Sequence, residues 1–112
     1  MADQARKLNV SFSPAALEAL GEIWEWNARH HGIEHADKYI AFLVAQANRL
    51  STDYFLGRVV PVRPRLNYVI IRRTRRGHGH LAVYELIDDV IQVLHFYHTA
   101  QDWQARLMKE VR

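Results

Sequence analysis

The spacing of apolar positions changes rhythm several times along the chain. Residues 8–12, Leu-Asn-Val-Ser-Phe, alternate apolar and polar, the mark of a short half-buried strand. Ser13-Pro14 then opens a helix, because Ser is a good N-cap and Pro needs no hydrogen bond at the first helical position. Leu17, Leu20, Ile23, Trp24 and Asn27 recur at helical spacing, and Gly32 stops the run. A second helix is predicted at about Glu34 to Leu50, with Ala36, Tyr39, Ile40, Leu43, Val44, Ala47 and Leu50 on one stripe. The short joint at Gly32 predicts an antiparallel helical hairpin. Residues 51–66 read as a loop broken by Gly57, Pro61 and Pro64. Three strands follow, at Asn67 to Thr74, His80 to Ile87 and Val90 to His98, separated by a flexible turn (Arg76-Gly77-His78-Gly79) and by Asp88-Asp89. The last two are apolar on both faces, so both faces must be covered. The hairpin covers one, and a terminal helix within Thr99 to Arg112, carrying Trp103, Leu107, Met108 and Val111, lies near the other. The expectation is an α+β domain, order βααβββα, with an antiparallel sheet.

Composition bounds the chemistry. A chain of 112 residues is one domain, residues 1–112. Cysteine is absent, which excludes a disulfide scaffold, a cysteine zinc site and thiol catalysis. No apolar run approaches bilayer length, and Met1-Ala2-Asp3-Gln4 does not look like a secretion signal, so a cytoplasmic protein without a membrane partner is expected. Charge is asymmetric. Residues 1–57 carry 5 basic and 7 acidic side chains, whereas residues 58–112 carry 10 and 5. No acid occurs from Tyr54 through Tyr84, and arginine outnumbers lysine 12 to 3. Arginine's fork grips phosphate and carboxylate at two points, so the second half suits an anionic partner. A solvated basic face is the plain alternative.

Several segments resemble the ParE branch of the RelE/ParE superfamily, toxins of type II toxin–antitoxin modules. Ser13-Pro14-Ala15-Ala16-Leu17 resembles that family's helix-opening segment, and Ile23-Trp24-Glu25-Trp26 its "IW-acid-aromatic" stretch. Ala36-Asp37-Lys38-Tyr39-Ile40 resembles the start of its second helix. Leu56-Gly57-Arg58 with Val60-Pro61 resembles "LGR-x-VP", and Val83-Tyr84-Glu85-Leu86 resembles "FYxV". Tyr97-His98-Thr99-Ala100-Gln101-Asp102-Trp103 resembles "LHGARDW", with Gln101 where Arg is frequent and Thr99 where Gly is frequent. The run from Arg72 to His80 is richer in Arg and His than the family pattern.

The resemblance implies a RelE/ParE-like fold and a toxin that acts by binding rather than by its own chemistry. It implies DNA gyrase as target, neutralisation by a ParD-like antitoxin in a hetero-oligomer, a role in plasmid stabilisation, and no cofactor. The sister branch cuts mRNA on the ribosome, and a shared fold does not choose between the two. The alternatives are therefore a metal-independent mRNA endoribonuclease or a non-toxic antitoxin-binding relative, with nucleic acid contacted directly only in the first of these.

The residues can be weighed on their own terms. Arg72, Arg73, Arg75 and Arg76 repel one another and favour an anion between them, so they are assigned to antitoxin or target binding. Trp24 and Trp26 cannot face the same way; Trp24 is placed in the core and Trp26 at an exposed contact surface. Trp103 anchors the terminal helix, its burial worth on the order of 2–3 kcal/mol; the resemblance also places the terminal segment in toxicity. No catalytic residue is expected under the binding reading. Under the nuclease reading, Arg72 and Arg73 would hold phosphate while Tyr97 and His98 move protons. Strand alternation puts His95 and Tyr97 on one face and Phe96 and His98 on the other, which opposes convergence. His78 and His80 form a conceivable metal pair without further ligands nearby, and Gly32 interrupts the His31–His35 pair, so no metal is assigned.

Overall fold

The computed structural model describes residues 7–74 and 77–110. Arg75, Arg76 and Val111 lie outside the described residues. The elements are β1 (Asn9–Phe12), α1 (Pro14–His31), α2 (Ile33–Asn48), α3 (Leu50–Asp53), a 3-10 turn (Tyr54–Leu56), β2 (Arg58–Val60), β3 (Arg63–Ile71), β4 (His80–Ile87), β5 (Val90–His98) and α4 (Trp103–Glu110). They form one five-stranded sheet, order β1-β5-β4-β3-β2, with β1 parallel to β5 and all other pairs antiparallel. The α+β architecture, the helical hairpin and the terminal helix follow the expected order, with one addition.

That addition corrects the loop expected at 51–66. The segment holds α3, the 3-10 turn and β2, and β3 begins at Arg63, not Asn67. Strand β2 lies at the sheet edge, paired through Arg58↔Tyr68 and Val59↔Asn67 before its register shifts. Pro61 falls in the turn after β2, and Pro64 lies in β3 ahead of Asn67, where pairing with β4 begins, so that side of the strand needs no partner there. Strand β3 also ends early, at Ile71, so Arg72 and Arg73 lie just beyond it.

Two cores sandwich the sheet. On one face the hairpin packs Ala16, Ala19, Leu20, Leu43 and Ala47 against Ile71, Ala82, Tyr84, Ile91, Val93 and Phe96. On the other, Leu107 of α4 joins Val60, Leu66, Leu81, Val83 and Tyr97, flanked by Tyr68, Leu94 and Trp103. Met108 is exposed. Leu17, expected on the buried stripe of α1, is 57% exposed, because α1 approaches the sheet through its alanines. Trp24 is half-buried, not core; its indole N–H donates to Asp37 Oδ1 across the hairpin at 2.8 Å.

Ser13 joins helix and sheet. Its Oγ accepts from Ala16 N–H at 3.0 Å as the N-cap and donates to the Leu94 carbonyl at 2.8 Å. Leu94 is the residue skipped where the β4–β5 register shifts, Tyr84 pairing with Val93 and Val83 with His95. A bulge carbonyl turned from the ladder needs another donor, and Ser13 supplies it. Ser13→Ala should therefore cost about 1–2 kcal/mol by urea denaturation, towards the upper range for a lost N-cap. A loss below about 0.5 kcal/mol would refute the double role.

Candidate functional site: a basic end beside a histidine-lined groove

Where β3 runs out, the chain turns back through Gly79, which sits so close to Ile71 O that a Cβ would strike that carbonyl. Thr99 fastens this turn: its N–H donates to Gly79 O and its Oγ1 accepts from Gly79 N–H, each at 3.0 Å. The Thr that departs from the family's Gly thus ties the β3–β4 connection to the end of β5.

Arg72 and Arg73 emerge from this braced turn and are exposed. Together with Arg58, Ile70 and Thr74 they line a shallow depression of about 500 Å³. Arg73 also lies 5.5 Å from the Tyr39 ring centroid and 5.4 Å from that of Phe42, a cation–π arrangement that holds the guanidinium against the hairpin. Arginines distant in sequence, 58 and 72–73, are therefore gathered. Ile70, in the same depression, is an exposed large apolar side chain; Phe55, Leu56 and Val59, also exposed, belong to the 3-10 turn and β2 of the segment expected as a loop.

Tyr39 links the basic end to a groove of about 550 Å³. Its hydroxyl and His80 Nδ1 are 2.6 Å apart. Burial, aided by His98, pulls His80 down to about 4. His80 is thus neutral near pH 7, and we assign Tyr39 as donor to Nδ1, with the ring proton on Nε2. Burial likewise raises the Tyr39 hydroxyl against the lowering effect of Arg73. The His98 ring stands 5.1 Å from His80 and 5.6 Å from His78, and burial followed by His78 lowers it. Ala100 N–H donates to His98 Nδ1 at 3.0 Å, so that ring too carries its proton on Nε2.

The alternation expected for the end of β5 holds. Phe96 belongs to the hairpin core, whereas Tyr97 belongs to the core under α4 and stacks on His95 at 4.2 Å. Tyr97 is buried and its hydroxyl donates to Glu110 Oε1 at 3.1 Å. Burial first, and Glu110 second, push it well above the ordinary tyrosine range. His95 Nε2 lies 3.2 Å from Glu110 Oε2. Glu110 thus latches the far end of α4 to β5. Of the set named for nuclease chemistry, His98 and Arg73 are connected through Tyr39 and His80. Arg72 points into the depression, and the Tyr97 hydroxyl is committed to Glu110.

Trp26 is 54% exposed, stacked on His30 at 4.1 Å, and lies at the groove lip. Trp103 is half-buried, 4.8 Å from Tyr68. His31 and His35 lie 4.8 Å apart despite the break at Gly32, yet among the described residues no group of three His, Asp or Glu side chains is placed to hold a metal ion. Nor is any helix among them long and apolar enough to cross a membrane.

The family model described as the ParE toxin of type II toxin–antitoxin system, parDE, matches residues 10–103. The chain belongs to the ParE toxin family. It is accordingly a ParE-type toxin of a type II toxin–antitoxin system. Among solved structures, this ParE chain is similar to one described as the chromosomal ParDE TA system from P. aeruginosa, with TM-score 0.69 and 20% identity, covering 81% of this chain and 95% of that one. It is similar also to a mutant E. coli toxin RelE in the free state, with TM-score 0.55 and 16% identity, covering 95% and 99%. At these identities the likeness establishes the fold. No curated protein sequence matches the chain.

Proposed function

We propose that this ParE-family toxin inhibits DNA gyrase by binding it, and that a ParD-like antitoxin neutralises it by covering the same end of the molecule. The observation that carries the reading is the gathering of Arg58, Arg72 and Arg73 around the exposed Ile70. An acidic, amphipathic tail that folds on binding matches such a surface in both charge and apolarity. Arg75 and Arg76 extend the same run in sequence. Neutralisation then follows from occupancy, since antitoxin and target compete for one sticky, cationic end. The binding reading also accords with a Tyr97 hydroxyl engaged by Glu110, which is not poised for proton transfer to a substrate.

Expression without antitoxin should induce the DNA-damage response with transcripts intact, and purified toxin should block supercoiling by gyrase. In-frame transcript cuts with undamaged DNA would overturn the reading in favour of ribosome-dependent mRNA cleavage. The paired substitution Arg72→Glu with Arg73→Glu should weaken antitoxin binding at least tenfold, and more at low than at high salt. Equal affinity of parent and variant by calorimetry would remove this end from the interface.

A further inference from the structure

The groove beside the basic end has an unusual set of unspent hydrogen-bonding groups. One wall is a face of α1 that includes Ile23, Trp26 and Asn27. The floor is the last part of β5, beyond the reach of β1, whose pairing stops at Phe12↔Val93. All four residues from His95 to His98 line it, so the groove runs along an open sheet edge.

An open edge invites an added strand, but this one is already capped. Because Thr99 N–H bonds Gly79 O, alternation turns the backbone groups of His98 and Phe96 away from β4 and towards the edge. There the His98 N–H donates to Gln101 Oε1 at 2.9 Å, and His98 O accepts from Gln101 N–H at 3.0 Å. Phe96 O faces His95 Nδ1 at 2.8 Å. Three of those four edge groups have local partners. A further strand would have to displace them, so a ligand that uses side chains is favoured over a peptide.

The side chains define that ligand. Asn27 is 93% buried by its 7% exposure, and its Nδ2 donates to Ile23 O at 2.8 Å in its own helix. Its Oδ1 takes no hydrogen bond from the described residues and, since none of their fully buried side-chain polar atoms lacks a partner, it is open to the groove that Asn27 lines. An acceptor open to a groove can exchange water for a ligand's donor. His80 and His98 each present Nε2–H, because their Nδ1 atoms accept from Tyr39 and Ala100. Arg106 contributes a cation, its Nε 3.9 Å from Glu110 Oε1, and Glu22 a carboxylate, while the exposed Trp26 ring lies at the lip. A ring with donors and acceptors on one edge, flat enough to lie on an indole, and carrying an anionic group for Arg106 fits this set. The volume lies within the ordinary range for small-ligand sites.

We propose that the groove binds a nucleobase bearing a phosphate, the base edge on Asn27 Oδ1 and the His80 and His98 Nε2–H groups, its face against Trp26, and the phosphate at Arg106. The base arrives either as a free mononucleotide or as one unit of a single strand, whose further phosphates would run towards Arg73. The site is one of binding; no bond is made or broken in it.

The test titrates the purified chain with AMP, GMP, CMP and dTMP, and separately with an eight-nucleotide single-stranded DNA, following tryptophan fluorescence and, for Trp26→Leu, calorimetry. Saturable binding of a mononucleotide, weakened at least tenfold in both Asn27→Leu and Trp26→Leu, is the expected result and assigns the free nucleotide as the source. Binding of the oligonucleotide alone, with the same loss in both variants, supports the site and assigns a base within a strand. Absence of saturable binding to either probe, or binding that both folded variants retain, overturns the proposal. Because Trp26 is on the surface, its variant reports even if Asn27→Leu fails to fold. The assay contains neither antitoxin nor gyrase, so a negative result leaves the toxin reading standing.

Discussion

Leu107→Ala should cost about 2–5 kcal/mol of folding stability, the range for truncating a buried leucine. The residue is fully buried and is the one side chain of α4 at the centre of the core formed with Val60, Leu66, Leu81, Val83 and Tyr97. An eight-residue helix has almost no stability of its own in water. It is held by Leu107 in the middle, Trp103 against Tyr68 at one end, and Glu110 reaching Tyr97 and His95 at the other. Removing the central side chain leaves a cavity under the sheet or releases the helix, and release would expose Leu81, Val83 and Tyr97. Urea denaturation of parent and variant, with amide exchange read on α4, separates the two results. A cost below about 1 kcal/mol would show that the sheet does not depend on α4 for cover.

Acidification should remove on the order of 3 kcal/mol through His80 alone. The folded state holds this ring at about 4, against an ordinary value of 6.5. Between those two pH values the unfolded chain binds the proton and the folded one does not. Stability is therefore fully present above about pH 6.5 and is lost as the pH falls towards 4. Burial is the larger cause, and the neighbouring His98, itself lowered, adds loss of the same sign. The Tyr39 hydroxyl and His98 face His80, with Arg73 behind Tyr39, so protonation would add charge on the side of a cation. Urea midpoints measured from pH 7.5 to 4 should fall more steeply for the parent than for His80→Gln, whose amide still accepts from Tyr39. Parallel curves would show that His80 is not the group responsible.

Much of the architecture is legible in the residues. Ser13-Pro14 marks the start of α1, and β4 and β5 end at the residues expected, because local capping chemistry and strand periodicity act within a few positions. Strand β2 is missed because three residues between Gly57 and Pro61 are too few to display alternation. Leu17 is misplaced because periodicity marks an apolar side but not how near the sheet comes, and small alanines set the close approach. At the basic end, the arginine run is visible in the sequence, whereas the approach of Arg58 to it is not.

By itself, then, the sequence determined the order of elements, the two buried sheet faces, the acid-free basic half and the family membership that its motifs foretold. These properties live in short windows of chain or in composition. Only the tertiary structure decided that Tyr39, His78, His80 and His98 share one cluster, that Asn27 turns an unspent amide into a groove, and that Tyr97 is claimed by Glu110. The reason is that such contacts join residues up to 41 positions apart, as between Tyr39 and His80, and depend on strand register and on the bulge at Leu94. A one-residue change in that register would turn the strand residues among them, His80 or Tyr97 and His98, to the opposite face.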